Sequence, residues 1–324
     1  MSAILVLAEH LKGEVSEISF EMLGAARKLG DELKTPVLAV ALGRDASAVA
    51  AKLGAADSVL VVEDAALEVP TVEVTGPVIQ QLMEQKQAAI VLIPGTNLAW
   101  GLGAKLAALT KLPYVNFCHG LKVDNGAVMV TSQLYGGKIM ADVPLAGNRG
   151  ILCVLPGSFP PDAGKSDKAA TIEKPAVNVP APKVVFKKYI EPAGGDVDIT
   201  KQDVLVSVGR GIQTQDNIAL AEELAGVLGG AVSGSRPVID QGWLPLTRQV
   251  GKSGMTVKPK LYLALGISGA PEHQEGMRGA SLIVAVNTDP KAPIFDIAHF
   301  GTTTDLFELV PALKEAIEKR KQGA

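Results

Sequence analysis

The sequence predicts an α/β chain of two domains, each built on a largely parallel sheet flanked by helices, the second of them doubly wound. Three observations point there. Apolar strand-like runs alternate with helix-period segments near the N-terminus and again after residue 203. The hydrophobic fraction is 47% but the aromatic fraction only 4%, so the core must be packed from Ala, Val, Leu, Ile and Gly, which suits parallel strands covered on both faces. At 324 residues the chain is long for one core, and a Pro-rich stretch divides it. The expected division is a first domain over 1–157, a linker over 158–195 and a second domain over 196–324.

The N-terminal run AILVLAEH reads as the first strand, because it lacks the basic start and cleavage site of a signal peptide. Ser16 to Leu33 carries helical periodicity and ends in a Lys-containing turn before Pro36. PVLAVALG is the next strand, followed by a short helix from Ala46 to Leu53 that Gly54 stops. SVLVVE, a helix around Pro77 to Gln87, and the strand AAIVLIPG continue the alternation. A helix is expected from Leu98 to Leu109, with Thr96 or Asn97 as its cap. Gly101-Leu102-Gly103-Ala104-Lys105 imitates a phosphate loop but lacks the Walker spacing and is read as packing inside that helix.

From Tyr114 the pattern shortens. CHGLKVD, GAVMVTSQLYGG, KIMADVPL and GILCVLPG are separated by turn signals such as Asp124-Asn125-Gly126 and read as antiparallel hairpins closing the first domain. Ser158 to Gly195 is rich in Pro, Lys, Ala and Asp, a semi-extended linker with room for one strand at 183–189. Beyond it come the strand VLVSVG, a helix from about Thr214 to Leu228 stopped by Gly229-Gly230, and AVSGSRPVID as strand and loop. A glycine-punctuated loop, RQVGKSGMTV, leads to the strand LYLALG, a glycine-rich corner, a short helix and the strand SLIVAVN. Asp305 caps a terminal amphipathic helix with basic residues in its last turn.

Composition narrows the function. A net charge of −3 gives no footprint for nucleic acid, and no polybasic segment or long apolar run argues for membrane insertion. Cys118 and Cys153 form no motif and fit reduced thiols in a cytoplasmic setting. His10, His119, His273 and His299 lack metal-ligand spacing, so no metal is expected. Four polar or glycine corners follow strands of the second domain: Gly209-Arg210-Gly211, Ser233 to Arg236, Ser268 to His273, and Asn287 to Asp289. Carboxyl ends of parallel strands share one edge, so these corners should converge on a crevice for a partly anionic, nucleotide-like ligand.

Taken singly, each corner has an ordinary reading. Arg210 serves equally as a solvated loop arginine, and His273 equally as an exposed residue at a helix start. Asn287 and Asp305 serve more often as turn and cap residues. Arg236 is harder to dismiss, since the following Pro237 favours extended backbone there and aims the side chain.

With these residues in view, the whole chain resembles the α subunit of electron-transfer flavoproteins. The resemblance is carried by VSVGRGIQ, SGSRPVIDQGWLP, QVGKSG, LYLALGISGA and IVAVNTDPKAPIFDIAHFG in that order, and more faintly by LVLAEH and LYGG. It implies an electron carrier without a catalytic set of its own, holding an extended FAD mostly in the second domain. Arg210 then falls near the cofactor, and Ser235 with Arg236 at the isoalloxazine. Gln249, Val250, Gly251, Lys252 and Ser253 match the loop that contacts the flavin, with Ser253 at the hydroxyl that reaches N5. Ser268, Gly269, Ala270, Pro271, Glu272 and His273 match the loop over the cofactor, with His273 at the pyrimidine carbonyl. Asn287, Asp305 and Leu306 match positions at the adenosine half. The resemblance also implies a β subunit packed against the first domain and carrying AMP, or a second FAD in bifurcating members. Flavin dehydrogenases are the implied donors, and a quinone oxidoreductase or other acceptor receives the electrons.

The chain departs from the family where GISGAIQH becomes Ala270-Pro271-Glu272-His273, where Lys252 replaces a common glutamine, and at Gly136-Gly137-Lys138. Arg236, a protonated His273 and the helix start after Gly269 would stabilise negative charge on a reduced flavin. Glu272 would oppose them, and Lys252 is expected to pair with Glu272. Two other classes stay open at this level: a flavin or nicotinamide dehydrogenase, disfavoured by the lack of a Cys, Tyr-Lys or His-Asp set, and a non-redox nucleotide-binding module.

Overall fold

The computed structural model describes residues 2–189 and 196–322, and the chain divides into two compact units, Met1–Lys188 and Tyr189–Ala324. The first unit opens with Ala3–Leu7 (β1), whose five residues are all buried, and with a small hairpin, His10–Leu11 (β2) and Glu14–Val15 (β3). Then follow Glu17–Leu33 (α1), Val37–Gly43 (β4), Ala46–Ala50 (α2), Ser58–Glu63 (β5), Val72–Gln85 (α3), Ala88–Pro94 (β6) and Leu102–Thr110 (α4). Tyr114–Asp124 (β7), Ala127–Leu134 (β8), Ile139–Pro144 (β9), Gly150–Val154 (β10) and Ile172–Glu173 (β11) complete it. They form one mixed sheet in the order β11-β5-β4-β1-β6-β10-β7-β8-β9. Ile4, Val6 and Ala39 pack under α1 and α2 on one face, while Leu5, Leu7 and Val91 pack under α3 and α4 on the other. Continuous apolar strands are the sequence form of this two-faced burial.

Several expectations are corrected here. GILCV is not the last antiparallel hairpin strand: β10 inserts parallel to both β6 and β7. All five of its residues are buried, which an edge position cannot provide. Within this sheet, among the described residues, only β7, β8 and β9 pair antiparallel. The helix expected from Leu98 starts at Leu102, because Gly101 at φ 84° is left-handed and breaks the helical path. Thr96 is therefore no helix cap, and its hydroxyl bonds the Glu9 carboxylate instead. The helix expected around Pro77 begins five residues earlier, at Val72.

The Pro-rich stretch is largely laid onto the first unit. Its strand is β11, paired with β5, and residues 183–189 form none. Gln81 and Gln85 donate to the carbonyls of Asn178 and Ala176, and the amides of Lys183 and Val184 donate to Glu73. At its start, the buried Glu21 on α1 accepts from the amides of Gly157 and Phe159. The EPAGG part of the expected linker lies outside the described residues.

The second unit contains Val204–Val208 (β12), Ile218–Leu228 (α5), Ala231–Gly234 (β13), Arg236–Asp240 (α6) and Leu261–Leu265 (β14). Pro271–Met277 (α7), Leu282–Val286 (β15), Phe300–Thr302 (β16) and Leu306–Gln322 (α8) follow. All five strands are parallel, in the order β13-β12-β14-β15-β16. Alternate residues of each strand face opposite cores. Leu205, Tyr262, Ala264 and Ile283 meet Met277 of α7, whereas Val206, Val208 and Leu263 meet α5 and α8. Gly229, left-handed at φ 71°, ends α5 as expected. Neither β16 nor α6 was expected, both being too short to show a period.

Candidate functional site

The strand order of the second unit reverses direction between β12 and β14. In open parallel sheets, that switch point leaves a crevice beyond the carboxyl ends of the strands. A cleft of about 740 Å³ lies there, and all four corners reach it. Arg210 and Gly211 come from the end of β12, Ser235 and Arg236 from β13, Gly266 to His273 from β14, and Asn287 with Asp289 from β15. The fifth contributor is the loop Gln249 to Ser253.

Close backbone packing shapes the floor. A β-carbon on Gly209 would sit 2.3 Å from the Gly266 carbonyl oxygen, so the turns after β12 and β14 touch main chain to main chain. The Gly209 and Gly211 amides donate to the carbonyls of Leu265 and Gly266. The loop is pinned twice: the Val250 amide donates to Gly234 at 2.9 Å, and the Lys252 amide to Glu272 at 2.7 Å. Gly251 takes φ 135°, which a side chain would strain.

The side chains divide into rim and interior. Arg210 and Arg236 are exposed at the rim. Arg236 is not extended as expected: it is the first residue of α6, the extended residue is Ser235 at ψ 159°, and Arg236 Nε pairs with Asp240 at 3.4 Å. Gln249 is buried and its Nε2 donates to Ser253 Oγ at 2.8 Å, which leaves the serine proton free for another acceptor. Lys252 pairs with Glu275 at 3.7 Å, one helical turn past the expected partner Glu272, which is met through its backbone carbonyl. Glu272 itself is exposed and lines the cleft.

For His273 the fold decides one open alternative and corrects one expectation. It is 7% exposed, not a surface residue, and its Nε2 lies 2.9 Å from the hydroxyl of the fully buried Tyr262, which in turn donates to Ser207 Oγ at 2.7 Å. Burial pushes the imidazole down to about 4, opposed only in part by the Val250 carbonyl. The ring is neutral at physiological pH, so the protonated His273 expected from the sequence is not what the fold holds. Its Nδ1 is buried and makes no hydrogen bond of regular geometry.

Ser268, Gly269 and Ala270 line the cleft with His273, whereas Pro271 opens α7 without lining it. Asn287 lines it too, held by Nδ2 donating to the Ile267 carbonyl at 2.9 Å. Asp305 and Leu306 do not: Asp305 caps α8 by accepting from the Phe307 amide, and Leu306 is packed in the core. Asp240, Ala292 and Pro293 also line the cleft and were not singled out from sequence. Asp240 carried a signal, four residues from Arg236 on one short helix. Tyr262 carried none, since a tyrosine inside an apolar run reads as core.

Two family models match the chain. The Electron transfer flavoprotein domain covers residues 4–180, and the Electron transfer flavoprotein FAD-binding domain covers 198–278. The chain is 37% identical to an electron transfer flavoprotein subunit alpha of Syntrophomonas wolfei, over 98% of this chain and 100% of that protein. It is 36% identical to the corresponding subunit of Megasphaera elsdenii, over 98% and 97%. It is also 34% identical to the acryloyl-CoA reductase electron transfer subunit beta of Anaerotignum propionicum, over 99% and 96%.

Proposed function

The chain belongs to the electron transfer flavoprotein family, among its α subunits, and from that premise we propose that it holds one FAD in the second-unit cleft and carries electrons between protein partners. The observation that carries the reading is the meeting of four strand-end corners and the Gln249–Ser253 loop in one cleft at the switch point. Its volume lies within the range of small-molecule and cofactor sites. The residues fit the group: exposed arginines for anionic oxygens, and a main-chain floor that admits a flat ring closely. When bound, the flavin supplies reversible one-electron chemistry.

The chain's own groups orient and tune. Ser253, accepting from Gln249, keeps its proton for the flavin N5 that the family places beside it. Arg210 and Arg236 put positive charge at the rim, where a reduced ring gains negative charge. Lys252 is held by Glu275 rather than left to face the ring. In this reading the partner is a β subunit carrying AMP. Donors are flavin dehydrogenases of the acyl-CoA type, and the acceptor is a membrane quinone reductase or an equivalent. Among the described residues, no helix is long and apolar enough to cross a membrane.

A second reading has the β subunit carry another FAD and oxidise NADH, with electrons delivered to a reductase. It is favoured by the relative named for acryloyl-CoA reductase. Flavin counting on the purified complex separates the two. One FAD per complex, bleached by an acyl-CoA dehydrogenase with its substrate and untouched by NADH, supports the carrier. Two FAD with NADH oxidation supports the second reading, and a colourless complex retaining only adenine nucleotide would end both.

A further inference from the structure

We propose that Glu275 is a positioning residue for the charge that faces the cofactor: by pairing with Lys252 it holds the ammonium back from the ring and keeps the flavin's first reduction potential lower than an unrestrained lysine would set it. The inference rests on the flavin reading and deepens it. The backbone on either side of the pair is fixed. The Lys252 amide donates to the Glu272 carbonyl at 2.7 Å, and the Val257 amide donates to the Gly276 carbonyl at 2.8 Å. Between those two ties, Gly251 and Gly276 touch main chain to main chain, since a β-carbon on Gly276 would come within 2.4 Å of the Gly251 amide nitrogen. With the loop seated on α7 in this way, the torsions of the lysine side chain decide where its charge sits.

Lys252 lines the cleft, and its long flexible stem lets a compact point charge range over several positions there. Glu275 does not line the cleft. Its carboxylate is 25% exposed and meets Lys252 Nζ at 3.7 Å, which draws the cation towards α7. Glu272 lines the cleft and meets Lys252 through its backbone carbonyl, so Glu275 supplies the carboxylate of the pair. A partly exposed pair of this length adds little to folding, and its consequence lies in where it leaves the charge. Reduction adds negative charge to the ring, and the help a cation gives falls inversely with its distance, so doubling the separation halves it. Arg210, Arg236, Asp240 and Asp289 also line the cleft and form the fixed background to this adjustment.

Spectroelectrochemical titration of the flavin-loaded protein tests this in the wild type, Glu275→Gln, Lys252→Gln and the double variant, with the denaturation midpoint measured for each. Glu275→Gln should favour uptake of the first electron about threefold, or about 30 mV at about 59 mV per decade, with the midpoint unchanged. In the Lys252→Gln background the same replacement should give less than half that shift, because the charge that Glu275 restrains is gone. Equal shifts in the two backgrounds would make Glu275 a charge acting on its own account and would overturn the proposal. A lowered midpoint with no change in potential would overturn it as well, by reducing the pair to a structural contact. Both of those results leave flavin binding intact. Failure to take up FAD at all would instead end the flavin reading, and this inference with it.

Discussion

Gly276 on α7 lies against the backbone of Gly251: a β-carbon on Gly276 would come within 2.4 Å of the Gly251 amide nitrogen. The helix carrying His273 and the loop carrying Ser253 are therefore seated on each other without side chains between them. Gly276→Ala should displace the loop, since overpacking against backbone costs about 1–3 kcal/mol. The expected outcome is lower stability in denaturant titration and FAD binding weakened at least about tenfold. Gly226→Ala is the control, because its β-carbon meets nothing within 4 Å inside α5. It should leave binding unchanged and raise stability by up to about 1 kcal/mol. Equal behaviour of the two variants would contradict the seating.

His273 gives a pH dependence with a definite sign. Unfolded, its imidazole titrates near 6.5; folded, near 4. Between those values the unfolded chain binds the additional proton, so stability falls as pH drops through this window and is constant above it. The full loss is on the order of 3 kcal/mol in the flavin-free protein. Denaturation midpoints measured from pH 7 to 4 should fall less steeply for His273→Gln, and parallel slopes would show that the ring is not held neutral by burial.

Arg248 anchors the Gln249–Ser253 loop from behind. Its guanidinium reaches Asp196 Oδ1 through Nε at 2.6 Å and Nη2 at 2.5 Å, and the Val232 carbonyl through Nη1 at 2.7 Å. Both side chains are only 18% exposed, so removing one partner strands the other's charge. Asp196→Ala should cost about 2–3 kcal/mol and weaken FAD binding, because Gln249 follows Arg248 directly. Arg248→Lys should recover little, lacking the planar fork. An Asp196→Ala protein with normal stability and affinity would refute the anchoring.

Arg236 should behave in the opposite way. Its side chain is 69% exposed and its pair with Asp240 is a surface i,i+4 contact, so Arg236→Ala should change stability by less than about 0.5 kcal/mol. Its effect belongs to the bound cofactor. A bare cation at about 4 Å and an effective dielectric near 20 sets a ceiling of about 170 mV for a one-electron couple. Solvent and Asp240 screen that charge to a few tens of millivolts. Spectroelectrochemical titration should find the first reduction potential lowered by that amount, and an unchanged potential would remove Arg236 from the tuning set.

The parallel sheet of the second unit was legible because its strands are short apolar runs bounded by glycine corners, and the corners fell where switch-point topology brings them together. The sequence did not reveal where β10 inserts, since GILCV reads alike as an edge or a central strand until its neighbours are placed. Nor did it reveal the start of α4, where Gly101 looks helical until its φ is seen. At the site, Ser253 was proposed through the family resemblance and His273 through the glycine-rich corner, and both line the cleft, but the charge state of His273 was not legible. That property depends on how deeply the ring is buried beside the Val250 carbonyl, which no spacing in the sequence records. Likewise, Glu275 competes with Glu272 for Lys252 only once α7 has formed and turned one face to the loop.

The contact between Gly209 and Gly266 has a consequence for how this family member could be diversified. A surface made of peptide groups offers the same amides and carbonyls whatever the neighbouring codons specify, so its polarity cannot be edited one substitution at a time. Attempts to shift the redox range by mutation should succeed at Arg236 and Glu272, where side chains meet solvent. A screen of the corner glycines should return proteins that lose cofactor rather than proteins with new potentials.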